Sequence, residues 1–168
     1  MAKVHPGRYT AEIEGDFVVF LIGMRINKLW KIHKWLPVAL AMPAMQRAQL
    51  ADPGIGMLGQ QGWFGRTTIL VQYWRSTEDL MRFARDPKYT HRGAWKAFNR
   101  AIGTGGDVGI WHETFTVKAG GYETFYGNMP LFGLAQAGAQ VPVARRGERA
   151  EQRLAYAGGG PAPAVEDV

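Results

Sequence analysis

The sequence contains no cysteine and only four histidines. The absence of cysteine excludes disulfides, thiolate nucleophiles and cysteine-ligated metals. It also suits a reducing compartment, and we expect a cytoplasmic protein. A three-histidine metal centre would use nearly all the histidines of the chain, so we predict no metal site of this kind.

Long hydrophobic runs are also missing. The longest apolar stretch, residues 36–45, is too short for a bilayer and contains Pro37 and Pro43. Residues 1–16 have no apolar centre of the kind found in secretory signals. We therefore expect a soluble protein and no membrane partner.

Acidic residues are absent between residues 17 and 50, where Arg25, Lys28, Lys31 and Lys34 lie, and the net charge is +6. Such a stripe could attract an anionic substrate, a membrane surface or a nucleic acid. Charge runs more often decorate a solvated helix face, and we favour that interpretation. Nucleic acid is not an expected partner.

The chain is rich enough in hydrophobic residues, at 46%, to build a core. Its length suits one domain. We predict an N-terminal extension over residues 1–16 and a folded domain over 17–135. Residues 136–168, rich in Ala, Gly, Pro, Gln and Arg, are predicted to form a disordered or loosely packed tail.

The order of predicted elements is strand, helix, strand, helix, strand, strand. A buried strand is expected near residues 17–25, and a helix from Ile26 that Pro37 and Pro43 break or kink. Ser76 is a predicted N-cap with Asp79 as capping-box acid. The remaining elements are expected at residues 67–73, 89–101, 109–115 and 121–128, the last two as a ribbon joined by a glycine turn.

This order predicts a ferredoxin-like α+β fold, an antiparallel sheet with helices on one face. The first two strands are apolar on both sides, so the second face of the sheet must also be covered. A second copy packed sheet against sheet would cover it, which predicts a homodimer of the dimeric α/β-barrel type.

The ribbon carries an unusual load of polar side chains, among them His112 and Glu113. Strand alternation puts these two on opposite faces, so they cannot serve one pocket directly. Glu113 and Glu123 could each pair with an arginine, and Arg25 and Arg75 are the candidates. We favour a structural pair, with acid–base catalysis at a raised pKa as the alternative.

A pocket between sheet and helices is the functional interpretation of the pattern. His112 and His91 would be its proton acceptors. The residues expected to line it are Trp74, Trp95, Phe98, Tyr126, Asn128 and Met129. The alternative is that the histidines are hydrogen-bonded core residues and the aromatic side chains ordinary packing.

Two sequence patterns match known binding motifs but lack the surrounding structure or residues that those motifs require. Residues 54–59 match G-x-G-x-x-G, but no strand-to-helix turn surrounds them, so we reject a dinucleotide site. His112-Glu113 begins an H-E-x-x-H pattern, but Thr116 stands where the second histidine would be. We therefore reject a zinc protease.

Five blocks of residues resemble a bacterial and fungal family. They are residues 24–27, 72–76, 91–100, 109–114 and 126–130, and the resemblance spans about residues 10–135. The family, once of unknown function, is described as monooxygenase-like after a fungal terpenoid-tailoring oxygenase. It is placed among the dimeric α/β-barrel proteins. That superfamily includes cofactor-free quinone-forming monooxygenases, haem-degrading monooxygenases and haem-containing dehydratases.

The resemblance implies oxygen or haem chemistry on a small hydrophobic molecule, such as an oxidation in secondary metabolism. It carries over no catalytic set, so His91, His112 and Glu113 are candidates on chemical grounds alone. We favour a cofactor-independent monooxygenase with a histidine base. The alternatives are a haem protein with His91 or His112 as axial ligand, and a non-catalytic module that binds an apolar ligand or docks on a surface.

Overall fold

The computed structural model of the protein describes residues 2–50, 52–86, 103 and 105–157. The predicted helix near residues 89–101 lies outside the described residues, as do His91, Trp95 and Phe98 on it.

The described elements comprise seven strands and four helices. In chain order they are β1 (Val4–Glu12), β2 (Phe17–Ile26), α1 (Ile32–Leu50), β3 (Met57–Trp63), β4 (Ile69–Trp74), α2 (Thr77–Arg85), β5 (Val108–Val117), β6 (Tyr126–Pro130), α3 (Leu134–Ala137), β7 (Ala139–Pro142) and α4 (Ala150–Ala157), with 3-10 turns at Pro53–Ile55 and Val143–Arg145.

The main sheet has the strand order β3-β4-β2-β5, and every neighbouring pair is antiparallel. This is the strand order of the ferredoxin-like fold, so the predicted fold class is confirmed. β2 lies inside the sheet because its Val, Phe, Leu and Ile residues can be buried on both sides.

The even-numbered side chains of β2 face the helices. Val18 packs with Trp74 and with Phe83 of α2, while Met24 packs with Val38 of α1. The predicted cap of α2 is confirmed, because the Asp79 backbone N–H donates to Ser76 Oγ at 3.1 Å.

Helix α1 differs from its prediction at both ends. It begins at Ile32 rather than Ile26, because Asp107 O accepts the backbone N–H groups of Asn27 and Lys28 and holds them in a turn. It also continues through both of its prolines to Leu50, since burial of its inner side against the sheet outweighs their lost hydrogen bonds. Among the described residues, no helix has the length and apolar content to cross a membrane.

The ribbon of residues 109–128 is not a hairpin, so that prediction is wrong. β5 pairs with β2 in the main sheet, whereas β6 pairs with β1 in another sheet. The edge strand β3 was missed because its glycines and glutamines have little strand propensity. It takes its conformation from pairing with β4. The glycine motif at residues 54–59 leads into this strand and not into an α-helix, which agrees with the rejection of a dinucleotide site.

A second, three-stranded sheet has the order β6-β1-β7. Together with α3 it covers one end of the other face of the main sheet, where Ala11, Phe17, Leu134 and Ala135 form a buried cluster. The expected N-terminal extension is therefore the central strand of this sheet. A strand that starts with Val-His-Pro-Gly has little strand signal of its own, and two neighbours supply its hydrogen bonds.

The expected loose tail is also ordered as far as Ala157, and residues 158–168 lie outside the described part. Two buried arginines attach it. Arg146 donates to Ala11 O and to the Tyr122 hydroxyl, both at 2.8 Å. Arg153 donates to Gly147 O and Glu148 O and binds Glu123 Oε1 through Nε and Nη2 at 2.6 and 2.5 Å. The composition of residues 136–168 suggested disorder because composition alone does not show which charged side chains are paired in the folded chain.

Replacing Arg153 with Ala should lower the free energy of unfolding by about 3 kcal/mol, because Glu123 loses its partner while it remains largely out of water. Arg8→Ala is the matched control. Arg8 contacts the same Phe125 ring, but its ion pair with Glu148 is exposed and should contribute less than about 1 kcal/mol. Urea denaturation measures both, and equal losses would contradict a structural role for the buried pair.

Asp107 fixes the turn between β2 and α1. Its carboxylate lies 2.8 Å from Lys28 Nζ and 2.9 Å from Lys31 Nζ. Hydrogen bonds from these two ammonium groups, reinforced by their charges, lower the pKa of Asp107 from 3.8 to about 2. A carboxyl group whose pKa falls on folding adds stability above its ordinary pKa and loses it as the pH drops toward the lower value.

The contribution of Asp107 should therefore be constant near neutrality and disappear between about pH 4 and pH 2. A ¹³C NMR titration of the Asp107 carboxyl should give a midpoint near pH 2, and the Lys28→Met, Lys31→Met double variant should return it toward 3.8. A midpoint near the ordinary value in the unmodified chain would contradict the two-lysine arrangement.

Candidate functional site

His112 lies on β5, an edge strand, directly opposite Ile22 of β2. It shares the helix-covered face with Phe20, and the centroids of the two rings are 5.8 Å apart. The imidazole is nevertheless exposed. His112 therefore combines an imidazole that solvent can reach with contact to an aromatic ring.

Glu113 lies opposite Leu21 and faces the other side of the sheet, where it too is exposed. The prediction that His112 and Glu113 point to opposite faces is therefore confirmed. Because the sheet separates them, they cannot act on one substrate atom.

The expected arginine pairings are wrong. Arg75 binds Asp79 at 2.9 Å, and Arg25 donates to the Thr67 hydroxyl. Glu123, which was expected on the strand next to Glu113, lies outside the strands and binds Arg153 instead. The flanking sequence could not reveal this, because the true partner is thirty positions away on α4.

Trp74 does not line an open pocket. It is fully buried, and its ring centroid lies 5.4 Å from that of Phe83 on α2. Its indole N–H donates to Gln72 Oε1 at 3.1 Å. The residue therefore packs α2 against the sheet, which corresponds to the structural alternative considered for the aromatic residues.

Tyr126, Asn128 and Met129 lie on β6, in the second sheet, on the opposite side of the main sheet from His112. The Tyr126 hydroxyl accepts the Ala135 backbone N–H at 3.3 Å, and burial raises its pKa. Asn128, at φ 52°, accepts the Gly7 backbone N–H on Oδ1, next to the register shift of β1. The single pocket expected from the sequence does not gather these residues.

A cluster of glutamines was not singled out from the sequence. Gln72 Nε2 donates to Gln49 Oε1 at 2.9 Å and to Gln60 Oε1 at 3.2 Å, and both Gln49 and Gln72 are buried. Gln72 lies opposite Phe20, on the helix side of the sheet. The sequence did contain a signal for this cluster: a glutamine lies inside the apolar strand Ile-Leu-Val-Gln-Tyr-Trp, and a buried amide requires hydrogen-bond partners.

A cleft of about 420 Å³ opens at the β3 edge of the sheet. Its lining residues come from α1, β3, β4, α3 and the loop between β3 and β4, and they are Gln46, Leu58, Gly59, Gln60, Gln61, Gly62, Phe64, Leu70 and Gln136. Leu70 lies opposite Ile22, which in turn lies opposite His112. Two strand spacings, roughly 10 Å, therefore separate Leu70 in the cleft wall from His112.

A neutral imidazole beside an aromatic ring can accept a proton from an acidic C–H or O–H group held against that ring. The amides of Gln60 and Gln72 lie on the same helix-covered face, across the strands from Phe20. The described residues contain no group of three or more His, Cys, Asp or Glu side chains placed to hold a metal ion.

Comparisons with known proteins agree with the resemblance found in the sequence. The chain is 32% identical over 149 residues to Monooxygenase af470 of Aspergillus fumigatus; the match covers 76% of this chain and 53% of the relative. The chain thus spans about half the length of this curated relative. Its fold is similar to that of the aldoxime dehydratase OxdRE, solved with butyraldoxime, at a TM-score of 0.61 and 15% identity over 90% of this chain and 44% of that one.

The family described as Monooxygenase af470-like matches residues 17–134. This range contains the described main sheet, α1, α2 and His112. The chain belongs to the Monooxygenase af470-like family.

Proposed function

We propose that this chain acts as a monooxygenase on a small apolar, electron-rich substrate, with His112 as the general base. The observation that carries the proposal is the exposed imidazole beside Phe20 on the helix-covered face. The monooxygenase name of the family and of its curated relative supports the reaction class.

The proposed chemistry needs no reductant other than the substrate. His112 removes a proton from a methylene or phenol group, and the resulting carbanion or phenolate donates electrons to dioxygen. For an activated methylene, CH₂ and O₂ yield C=O and H₂O, so one oxygen atom enters the product and the other leaves as water. Phe20 would hold an aromatic substrate against the base.

His91 is proposed as a second candidate base on sequence grounds, because it lies in the segment that leads into β5. Glu113 is omitted from this chemistry because it faces the other side of the sheet. Haem chemistry is the alternative, in which His112 would hold the iron and Phe20 would pack against the porphyrin.

Oxygen consumption with an anthrone, whose methylene is activated by two aromatic rings, tests the proposal. His112→Ala should reduce the enzyme-dependent rate by roughly 10² to 10⁴, the usual contribution of a positioned base. His33→Ala, which removes an exposed imidazole on α1, should leave the rate unchanged.

Two results would overturn the scheme. Uptake that persists unchanged in His112→Ala would remove this residue from the mechanism. A Soret band that the purified protein acquires with haem, and that His112→Ala abolishes, would replace the cofactor-free reaction by the haem alternative.

We also propose that two copies pack through the part of the other sheet face that the second sheet leaves open. Leu21 and Val71 lie next to each other there, beside Glu113. Leu21 and Val71 are only partly buried, and Phe115 on the same face is half exposed. The buried Trp111 indole N–H has no hydrogen-bond partner on this face. An apolar sheet face of this kind favours a matching face.

Leu21→Asp should convert a dimer to a monomer, because the new carboxylate would be buried between the two sheets. Leu131→Asp is the control, since it introduces the same charge at an exposed apolar position beyond β6. Light scattering at micromolar concentration gives the mass. A monomeric unmodified protein would refute the dimer without affecting the proposed role of His112.

A further inference from the structure

We propose that the outer side of α1 and the turn before it form a docking surface for an anionic phospholipid membrane. The surface consists of five exposed apolar residues, here called the apolar stripe: Leu29, Trp30, Ile32, Leu36 and Leu40. This proposal departs from the solvated basic face expected from the sequence.

The apolar stripe is continuous along the helix. Ile32, Leu36 and Leu40 recur every fourth residue, which places them on one side of α1. The opposite side of α1 is occupied, since Val38 is buried against the sheet. Trp30 is 76% exposed and Leu40 is 66% exposed, so these large apolar side chains have little protein contact.

The exposure of Trp30 is built into the turn. The Trp35 indole N–H donates to Leu29 O at 3.0 Å. On the other flank, Asp107 O accepts the backbone N–H of Asn27, and the Lys31 backbone N–H donates to Lys28 O. These bonds fix the backbone on both sides of Trp30, in a conformation in which its side chain is exposed.

The charge around the apolar stripe is positive. Lys28 and Lys31 flank Leu29 and Trp30 in the turn, and Arg66 lies beside the same turn, where it donates to Ile26 O and Asn27 O. Asp107 is the carboxylate that lies among these cations. A membrane that contains anionic lipid attracts such a surface, at about 1 kcal/mol for each nearby Lys or Arg.

The chemistry of the apolar stripe favours lipid over nucleic acid. Four of its five residues are aliphatic, and bases stack on aromatic rings rather than on Leu or Ile. Tryptophan beside lysine and leucine is the composition of helices that lie in the lipid headgroup region.

A lipid surface fits the shape of the site better than a second copy does. The apolar stripe follows the convex outer side of a helix, and acyl chains adapt to a convex surface without a complementary groove. The open sheet face described above is the flatter surface and the better site for a second copy.

Co-sedimentation of the full chain with vesicles tests the proposal. Vesicles of phosphatidylcholine mixed with phosphatidylglycerol should bind the protein, and pure phosphatidylcholine should bind it more weakly. Trp30→Ser should weaken binding roughly tenfold or more, since a large side chain no longer enters the lipid. Added salt should weaken binding to the anionic vesicles, because it screens the attraction between the lysines of the turn and the lipid headgroups.

Met81→Ser is the matched control. Met81 is an exposed apolar residue on α2, outside the apolar stripe, and its loss should leave binding unchanged. Because Trp30 is exposed, Trp30→Ser should keep the unfolding midpoint of the unmodified protein.

Three results would overturn the proposal. One is a chain that binds neither vesicle. The second is equal loss of binding in Trp30→Ser and Met81→Ser. The third is a lower mass in light scattering for Trp30→Ser than for the unmodified protein, together with no binding to vesicles. That result would assign the apolar stripe to contact between copies. In the first case, binding of an oligonucleotide would assign the surface to a nucleic acid.

Discussion

Strand β2 organises the molecule because side chains on both of its faces pack against other layers and both of its edges are paired. β4 and β5 take its backbone hydrogen bonds. Its even-numbered side chains hold α1 and α2, and its odd-numbered side chains Phe17 and Val19 meet the second sheet. A shift of one residue in its register would exchange these two faces, so the alternation of this strand determines both layers.

Buried polar groups then fix details that apolar packing leaves open. The glutamine cluster ties α1 to the middle of the main sheet through Gln49 and Gln72. Arg153 ties α4 to Glu123, and Asp107, directly before β5, binds the turn between β2 and α1. Each contact joins segments distant in sequence, and each would be costly if one partner were removed.

The candidate site was only partly accessible from the sequence. Strand alternation correctly separated His112 from Glu113, because that argument needs only local periodicity. Grouping Tyr126 and Asn128 with His112 failed because it assumed that β5 and β6 form a hairpin, whereas β6 pairs with β1 across the chain. Trp74 was a plausible pocket residue by type, but its burial against Phe83 depends on how α2 packs.

Local patterns were enough for β2, β4, the cap of α2 and the α+β fold class, since period, apolar content and capping residues act over a few positions. The same patterns could not identify β1, β3 or the ordered segment up to Ala157, whose own propensities are weak. Those elements gain their structure from partners far along the chain, at Pro142, Trp74 and Glu123. Long-range pairing supplies the hydrogen bonds and buried charges that no local stretch contains.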